Sequence, residues 1–161
     1  MNNDQLTELL VEQVKDLYDA EKQLVKALPK LARACKSEEL SEAFAKHNDE
    51  TKGHVSRLEQ VFELLEVPAR GKACKAMKGL LEEGSDVIKD EDKGHLRDLA
   101  LIAGAQRVEH YEISAYGTVR AIAEQMKNAK VAKLLGETAD EEMAADQKLS
   151  KLATSLYQME A

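Results

Sequence analysis

The sequence predicts an all-α protein: four long helices arranged as two antiparallel hairpins, with a long crossover between them that holds a short helix of its own. Three observations carry that expectation. Apolar residues recur at intervals of three and four along four stretches of roughly 30 residues each, the period of one helical face. Aromatic residues make up only 4%, tryptophan is absent, and eight glycines and two prolines are spread over 161 residues, a composition that favours helices over strands. The joins within each hairpin are tight, whereas the middle connection is long. A chain of this length buries about two thirds of its unfolded surface, so residues 1–161 are read as a single domain.

The first helix extends from Asp4 to about Ala34, with Leu6, Leu10, Val14, Leu17, Leu24, Leu28 and Leu31 in one stripe and Glu21 inside it. Pro29 lacks an N–H and crowds the preceding turn, so a kink or a frayed last turn is expected there. Ser37 is placed to cap the second helix, whose stripe is Leu40, Phe44, His47, Thr51, His54, Leu58, Val61 and Leu65, ending before Val67-Pro68. Residues 68–94 are richer in glycine and charge, yet Met77, Leu80, Leu81, Val87 and Ile88 keep helical spacing. The third long helix spans about His95 to Lys127, with Ile102, Ala105, Glu109, Glu112, Tyr116, Val119, Ala123 and Met126 on one face. The fourth spans about Asn128 to Gln158 through Val131, Leu135, Thr138, Glu142, Ala145, Leu149, Leu152 and Leu156, with a small cost at Gly136. Connections that are short, then long, then short belong to four-helix bundles of ferritin-like type.

Lys and Arg number 23 against 30 Asp and Glu, a net charge of −7, which argues against sequence-independent nucleic-acid binding and against an anionic membrane surface. The basic stretch from Arg70 to Lys78 offers limited phosphate contacts at most. Cys35 and Cys74 are too few for a disulfide framework and have no C-x-x-C spacing, and no apolar signal segment opens the sequence. A reducing, cytoplasmic setting is expected.

All four stripes contain a carboxylate, although an unpaired buried charge costs several kcal/mol. Glu21 lies on the first, Glu50 beside His47 and His54 on the second, Glu109 and Glu112 on the third, and Glu142 on the fourth. Pairs spaced i, i+3 or i, i+4, such as His47 with Glu50, Glu109 with Glu112 and Glu142 with Asp146, point the same way from a helix. Carboxylates converging at one level of a bundle repel one another unless a positive charge sits among them, and a pair of divalent metal ions supplies it. Oxygen ligands with one or two imidazoles suit iron or manganese; structural zinc favours Cys and more His, and calcium rarely takes imidazole. The usual di-iron arrangement has two Glu-x-x-His pairs, whereas this chain has His47-x-x-Glu50 in reversed order and Glu109-x-x-Glu112.

Taken singly, each of these residues also has a plainer reading. A single Glu can sit at the edge of a stripe with its charge in water, and His47 is as readily a hydrogen-bonded core histidine as a ligand. His54 is expected at the rim of the site or behind a ligand, outside the ligand set. His110 and Glu141 each lie about 100° around the helix from a neighbouring seam residue, so they are expected to support ligands or face a partner. Tyr18, Tyr111 and Tyr116 are read first as packing residues that could also bring a hydroxyl near the metals. The two cysteines are read as structural or surface residues, because neither has the charged partner a nucleophile needs.

Leu17-Tyr18-Asp19-Ala20-Glu21-Lys22-Gln23-Leu24, Phe44 with His47 and Glu50-Thr51, Gln106 to Ile113 running on to Tyr116-Gly117-Thr118, and Glu141-Glu142 with Asp146 and Leu149 together resemble the YciF-like family of bacterial ferritin-like stress proteins. The resemblance covers nearly the whole chain. It implies a ferritin-like bundle, a dinuclear metal centre in each subunit, a homodimer and a link to stress responses. Carried over by position, it implies Glu21, Glu50, Glu109, Glu112 and Glu142 as carboxylate ligands and His47 as the imidazole, with His54 at a position where the family varies.

Two functions follow as expectations. In the first, two iron or manganese ions bound between the carboxylates, about 3.5–4 Å apart as in other two-metal sites, react with dioxygen or peroxide. In the second, the bundle binds metal without turnover, or acts structurally through a partner. Redox turnover per metal distinguishes them.

Overall fold

The computed structural model describes residues 2–159 and consists of five helices. They are α1 (Asn3–Ala34), α2 (Glu38–Leu64), α3 (Lys75–Asp90), α4 (His95–Gln125) and α5 (Ala129–Met159). Among the described residues there is no strand. None of the helices is long and apolar enough to cross a membrane.

Local chemistry starts and stops each helix. Asn2 and Gln5 close a reciprocal capping box at the start of α1. Ser37 Oγ accepts from Leu40 N–H at 3.3 Å, as the cap of α2 requires. Pro29 neither ends nor frays α1, which continues one more turn to Ala34. Beyond α2 and α4 the chain turns off through left-handed residues that are not glycine, Glu66 (φ 56°) and Lys127 (φ 58°). In each case the next amide reaches back to a carbonyl five residues earlier, Val67 to Phe62 at 3.1 Å and Asn128 to Ala123 at 2.9 Å.

The four long helices pack α1 on α2, α4 on α5, α2 on α5 and α1 on α4. Two separate apolar clusters fill the space between them, and their membership fixes the helix directions. One contains Leu10, Val14 and Leu17 of α1, Leu58 and Val61 of α2, Val119 and Ala123 of α4, and Val131 and Leu135 of α5. The other contains Leu24 and Leu28, then Leu40 and Phe44, Leu101 and Ile102, and Leu149 and Leu152. The first cluster thus takes the N-terminal halves of α1 and α5 and the C-terminal halves of α2 and α4, so each helix runs antiparallel to both neighbours. Between the clusters lies a layer of polar side chains at mid-length.

The end of α2 and the start of α4 lie at opposite ends of this arrangement, and residues 65–94 cover the distance. Lys72 N–H donates to Lys15 O at 3.1 Å and Cys74 N–H to Asp19 Oδ2 at 2.8 Å, tying the connection to α1. There α3 packs on α1 and α4, with only Met77 fully buried. Asp98, fully buried near the start of α4, accepts from the amides of Lys36 and Ser37 at 2.8 Å each and so fastens the α1–α2 turn.

Candidate metal centre

The polar layer consists of Glu21 from α1, His47, Thr51 and His54 from α2, Glu109 and Glu112 from α4, and Thr138 and Glu142 from α5, all buried. Helical periodicity puts them there: at i, i+3 and i+4 they share the face that carries Leu and Val above and below.

Two groups of ligand-type atoms form within this layer, each with its atoms within 4.8 Å of one another. One is His47, Glu109, Glu112 and Glu142; the other is Glu21, His54 and Glu142. Glu142 belongs to both. His47 Nε2 is 3.3 Å from Glu109 Oε1 and 3.8 Å from Glu142 Oε2. His54 Nδ1 is 2.9 Å from Glu142 Oε1 and 3.4 Å from Glu21 Oε1. The two imidazole rings are 6.4 Å apart, centre to centre.

These are ion-pair distances without hydrogen-bond geometry. Within this layer nine buried atoms have no hydrogen-bond partner among the described residues: Glu21 Oε2, both ring nitrogens of His47, His54 Nδ1, Glu109 Oε2, and both carboxylate oxygens of Glu112 and of Glu142. A folded protein leaves few such groups, because each forfeits about 1–3 kcal/mol of solvation.

The electrostatics tell the same story. Burial, reinforced by the charges of Glu21, Glu142 and Glu109, pushes the Glu112 carboxyl well above its ordinary range. Burial also raises Glu21, opposed by His54 and reinforced by Glu142. For Glu142, burial outweighs the pull of His54 and brings the carboxyl up to about 7. The histidines are raised as well, against burial: burial disfavours their charged form, yet Glu142 and Glu21 bring His54 up to about 10, and Glu109 and Glu50 hold His47 well above its ordinary value. Without a cation the cluster holds protons in its place.

A supporting network orients His54. Its Nε2 lies 2.8 Å from Glu141 Oε2, and Glu141 is gripped at both oxygens by Arg57, at 2.9 and 3.1 Å. Arg57 also donates to Thr138 Oγ1 at 2.6 Å. With its Nε2–H turned to Glu141, His54 presents Nδ1 to Glu21 and Glu142, as histidines backed by a carboxylate do in metal sites. On the far side, Tyr116 Oη donates to Glu21 Oε1 at 2.5 Å.

Five of the six predicted site residues, Glu21, His47, Glu109, Glu112 and Glu142, come together here. Glu50 does not join either group: it is 37% exposed, lies 3.5 Å from His47 Nδ1 and also pairs with Lys46. It borders a cavity of about 160 Å³ whose wall includes Phe44, His47 and Glu109. His54 does not lie at the rim: it is fully buried, with Nδ1 among the carboxylates. Glu141 supports His54, as its position beside Glu142 foretells. His110 is largely exposed and lies 3.4 Å from Asp146, which also accepts from Gln106, so this pair stands on the outer side of α4 and α5. Tyr18 donates to Glu59 and Tyr111 to Asp16, both away from the layer, whereas Tyr116 is part of it. Cys35 and Cys74 are buried free thiols. Arg57 was not singled out from sequence, although its place three residues after His54 on α2 was the available signal.

Fold and site together define an all-helical protein with a buried His/Glu cluster able to hold a metal ion. Residues 5–161 match the family described as a domain of unknown function (DUF892), and the chain belongs to that family. It is similar to protein YciF of Escherichia coli (strain K12), 48% identical over 154 residues that cover 95% of this chain and 93% of that one. The crystal structure of the E. coli stress protein YciF matches with a TM-score of 0.92 at 47% identity, covering 95% of this chain and 97% of that chain. YcfI from Rhodopseudomonas palustris, for which a structural role has been suggested, matches with a TM-score of 0.87 at 36% identity, over 90% and 92% of the two chains.

Proposed function

We propose that the protein is a ferritin-like four-helix-bundle domain holding two divalent metal ions, iron or manganese, and that it acts in stress response through metal-dependent oxidation. The observation that carries this reading is the set of nine unpartnered buried donor and acceptor atoms in two groups that share Glu142. The donor set is carboxylate-rich with one imidazole in each group, the chemistry that suits iron and manganese. Glu109, Glu112 and His47 would hold one ion and Glu21 and His54 the other, with Glu142 common to both sets. Glu50, beside His47, is the remaining carboxylate within reach of the first ion.

Bound there, the ions supply reaction with dioxygen or peroxide. The protein's own residues place the ligands on rigid helices, keep Glu21 oriented through Tyr116, fix the His54 tautomer through Glu141 and Arg57, and exclude bulk water with the apolar clusters on either side. A stress role is supported by the similarity to the E. coli stress protein YciF. A homodimer in the cytoplasm, without nucleic acid or membrane, completes the reading; the net charge of −7 supports the last two points.

The test is elemental analysis of untagged protein loaded anaerobically with Fe(II) or Mn(II) and desalted, followed by oxygen and peroxide uptake. About two ions per chain, as in other two-metal sites, with turnover is the expected result; a ratio near zero overturns it. The similarity to YcfI favours a second reading, in which the bundle is a structural or metal-holding protein acting through a partner. Two ions without turnover is its signature.

A further inference from the structure

A cavity of about 570 Å³ lies away from the polar layer's histidines, between α1, α3 and α4. That is within the range of small-molecule sites, about 300–1,000 Å³. We propose that this cavity binds an aliphatic carboxylate, its alkyl chain lying between the three helices and its head group against the basic face of α1.

The walls argue for an alkyl chain. Leu24, Leu28, Leu81, Ile88, Leu101 and Val108 contribute aliphatic surface, and no aromatic ring lines the cavity, so nothing there favours a flat ligand by stacking. The space is open at backbone level on one side: a Cβ built on Gly104, in the middle of α4 and on the cavity wall, meets no atom within 4 Å. The third wall is α3, whose Leu80, Leu81, Val87 and Ile88 are only partly buried against the core.

The rim argues for an anion. Lys26, Lys30, Arg33, Lys78 and Lys89 border the cavity against two carboxylates, Glu82 at the rim and the buried Glu109, in a chain whose net charge is −7. Lys78 and Lys89 have acidic neighbours on α3, Glu82 and Asp86, at 3.8 and 3.0 Å. Lys26, Lys30 and Arg33 are exposed, spaced four and three residues apart on α1, and make no ion pair among the described residues. Three uncompensated cations beside an aliphatic cavity match a ligand with a long apolar body and one negative head.

The cavity also touches Glu109, which belongs to the His47 group. A bound chain would therefore lie against a member of the polar layer. Binding itself does not require metal ions, so its outcome is separate from that of the metal reading.

The experiment is calorimetric titration of the metal-free protein with dodecanoate below its micelle concentration, alongside dodecanol and dodecyltrimethylammonium. Saturable binding of one dodecanoate per chain is expected, at least tenfold tighter than either analogue. Gly104→Leu fills the open space and should weaken binding at least tenfold while leaving metal stoichiometry unchanged. The triple variant Lys26→Glu, Lys30→Glu, Arg33→Glu, on an exposed face that packing does not use, should remove the preference for the anion. Non-saturable uptake, equal affinity for the cationic analogue, or wild-type affinity in both variants overturns the proposal. So does a change of native mass in Gly104→Leu with dodecanoate affinity intact, which would mean that a second copy of the chain fills the cavity.

Discussion

Glu142 and His54, 88 residues apart in sequence, meet at 2.9 Å between Oε1 and Nδ1, fully buried on helices that are not joined to one another. The other oxygen of Glu142 faces His47 at 3.8 Å, so one side chain serves both ligand groups. Glu142→Gln keeps the shape and removes the charge. It should lower metal content from about two ions per chain to one or fewer while helical content is retained, because the amide offers one ligand oxygen in place of two and no negative charge to the two groups that share this residue. Elemental analysis paired with circular dichroism decides it; two ions retained by folded Glu142→Gln would sink the bridging role.

His54→Gln tests the second group alone. From sequence, His54 belongs at the rim and its loss leaves binding nearly normal; from its buried Nδ1, its loss should cost the ion held with Glu21. About one ion per chain is expected of a two-metal site, because the group of His47, Glu109, Glu112 and Glu142 keeps all its ligand residues. Arg57→Ala, which frees Glu141, should weaken the same ion by about 10-fold, the low end of effects seen for residues that orient a ligand.

The titrations set a pH signature. In the metal-free protein Glu142 holds its proton to about pH 7 instead of 4.5, so its contribution to stability is complete below 4.5 and is lost as pH rises to 7. His54, raised from 6.5 to about 10, contributes fully below 6.5 and loses that contribution as pH rises through 10. The metal-free melting temperature should therefore fall between pH 6 and 9. Metal binding needs the same groups deprotonated, so the gain in melting temperature on adding Mn(II) should grow over that window. A gain that shrinks with rising pH would contradict the ligand set.

Tyr116→Phe removes the hydroxyl that Glu21 Oε1 receives at 2.5 Å. A buried acceptor stripped of its donor costs about 1–3 kcal/mol, which denaturant unfolding of the metal-free protein will read. With metal bound, Glu21 has another partner, so the cost should shrink and metal stoichiometry should hold.

Asp98→Ala is the control at the other end of the molecule. It strips the Lys36 and Ser37 amides of a carboxylate acceptor, two charge-assisted bonds worth about 1.5–3 kcal/mol each. A loss of about 3–5 kcal/mol in stability is expected, with undiminished metal content in the fraction that stays folded.

Much of this was legible in the sequence because helices announce themselves by period. Leu, Val and Ile at three- and four-residue steps marked each long helix to within two or three residues of its ends, and Ser37 marked a start. The charges interrupting those stripes, Glu21, Glu109, Glu112 and Glu142, stood out because an apolar face tolerates a carboxylate only with a partner. Periodicity says which way a side chain points but not how high along the bundle it lies once helices pair. Only the tertiary structure decided that His54 aligns with Glu21 and Glu142 whereas Glu50, one turn earlier, faces the margin beside His47. The same holds for Arg57, whose grip on Glu141 spans two helices, and for the cavity beside Gly104, which exists only because α3 lies across α1 and α4 without filling the space beneath it. Local sequence determines the faces; the relative heights of packed helices, set by how the two apolar clusters fill, determine which faces meet.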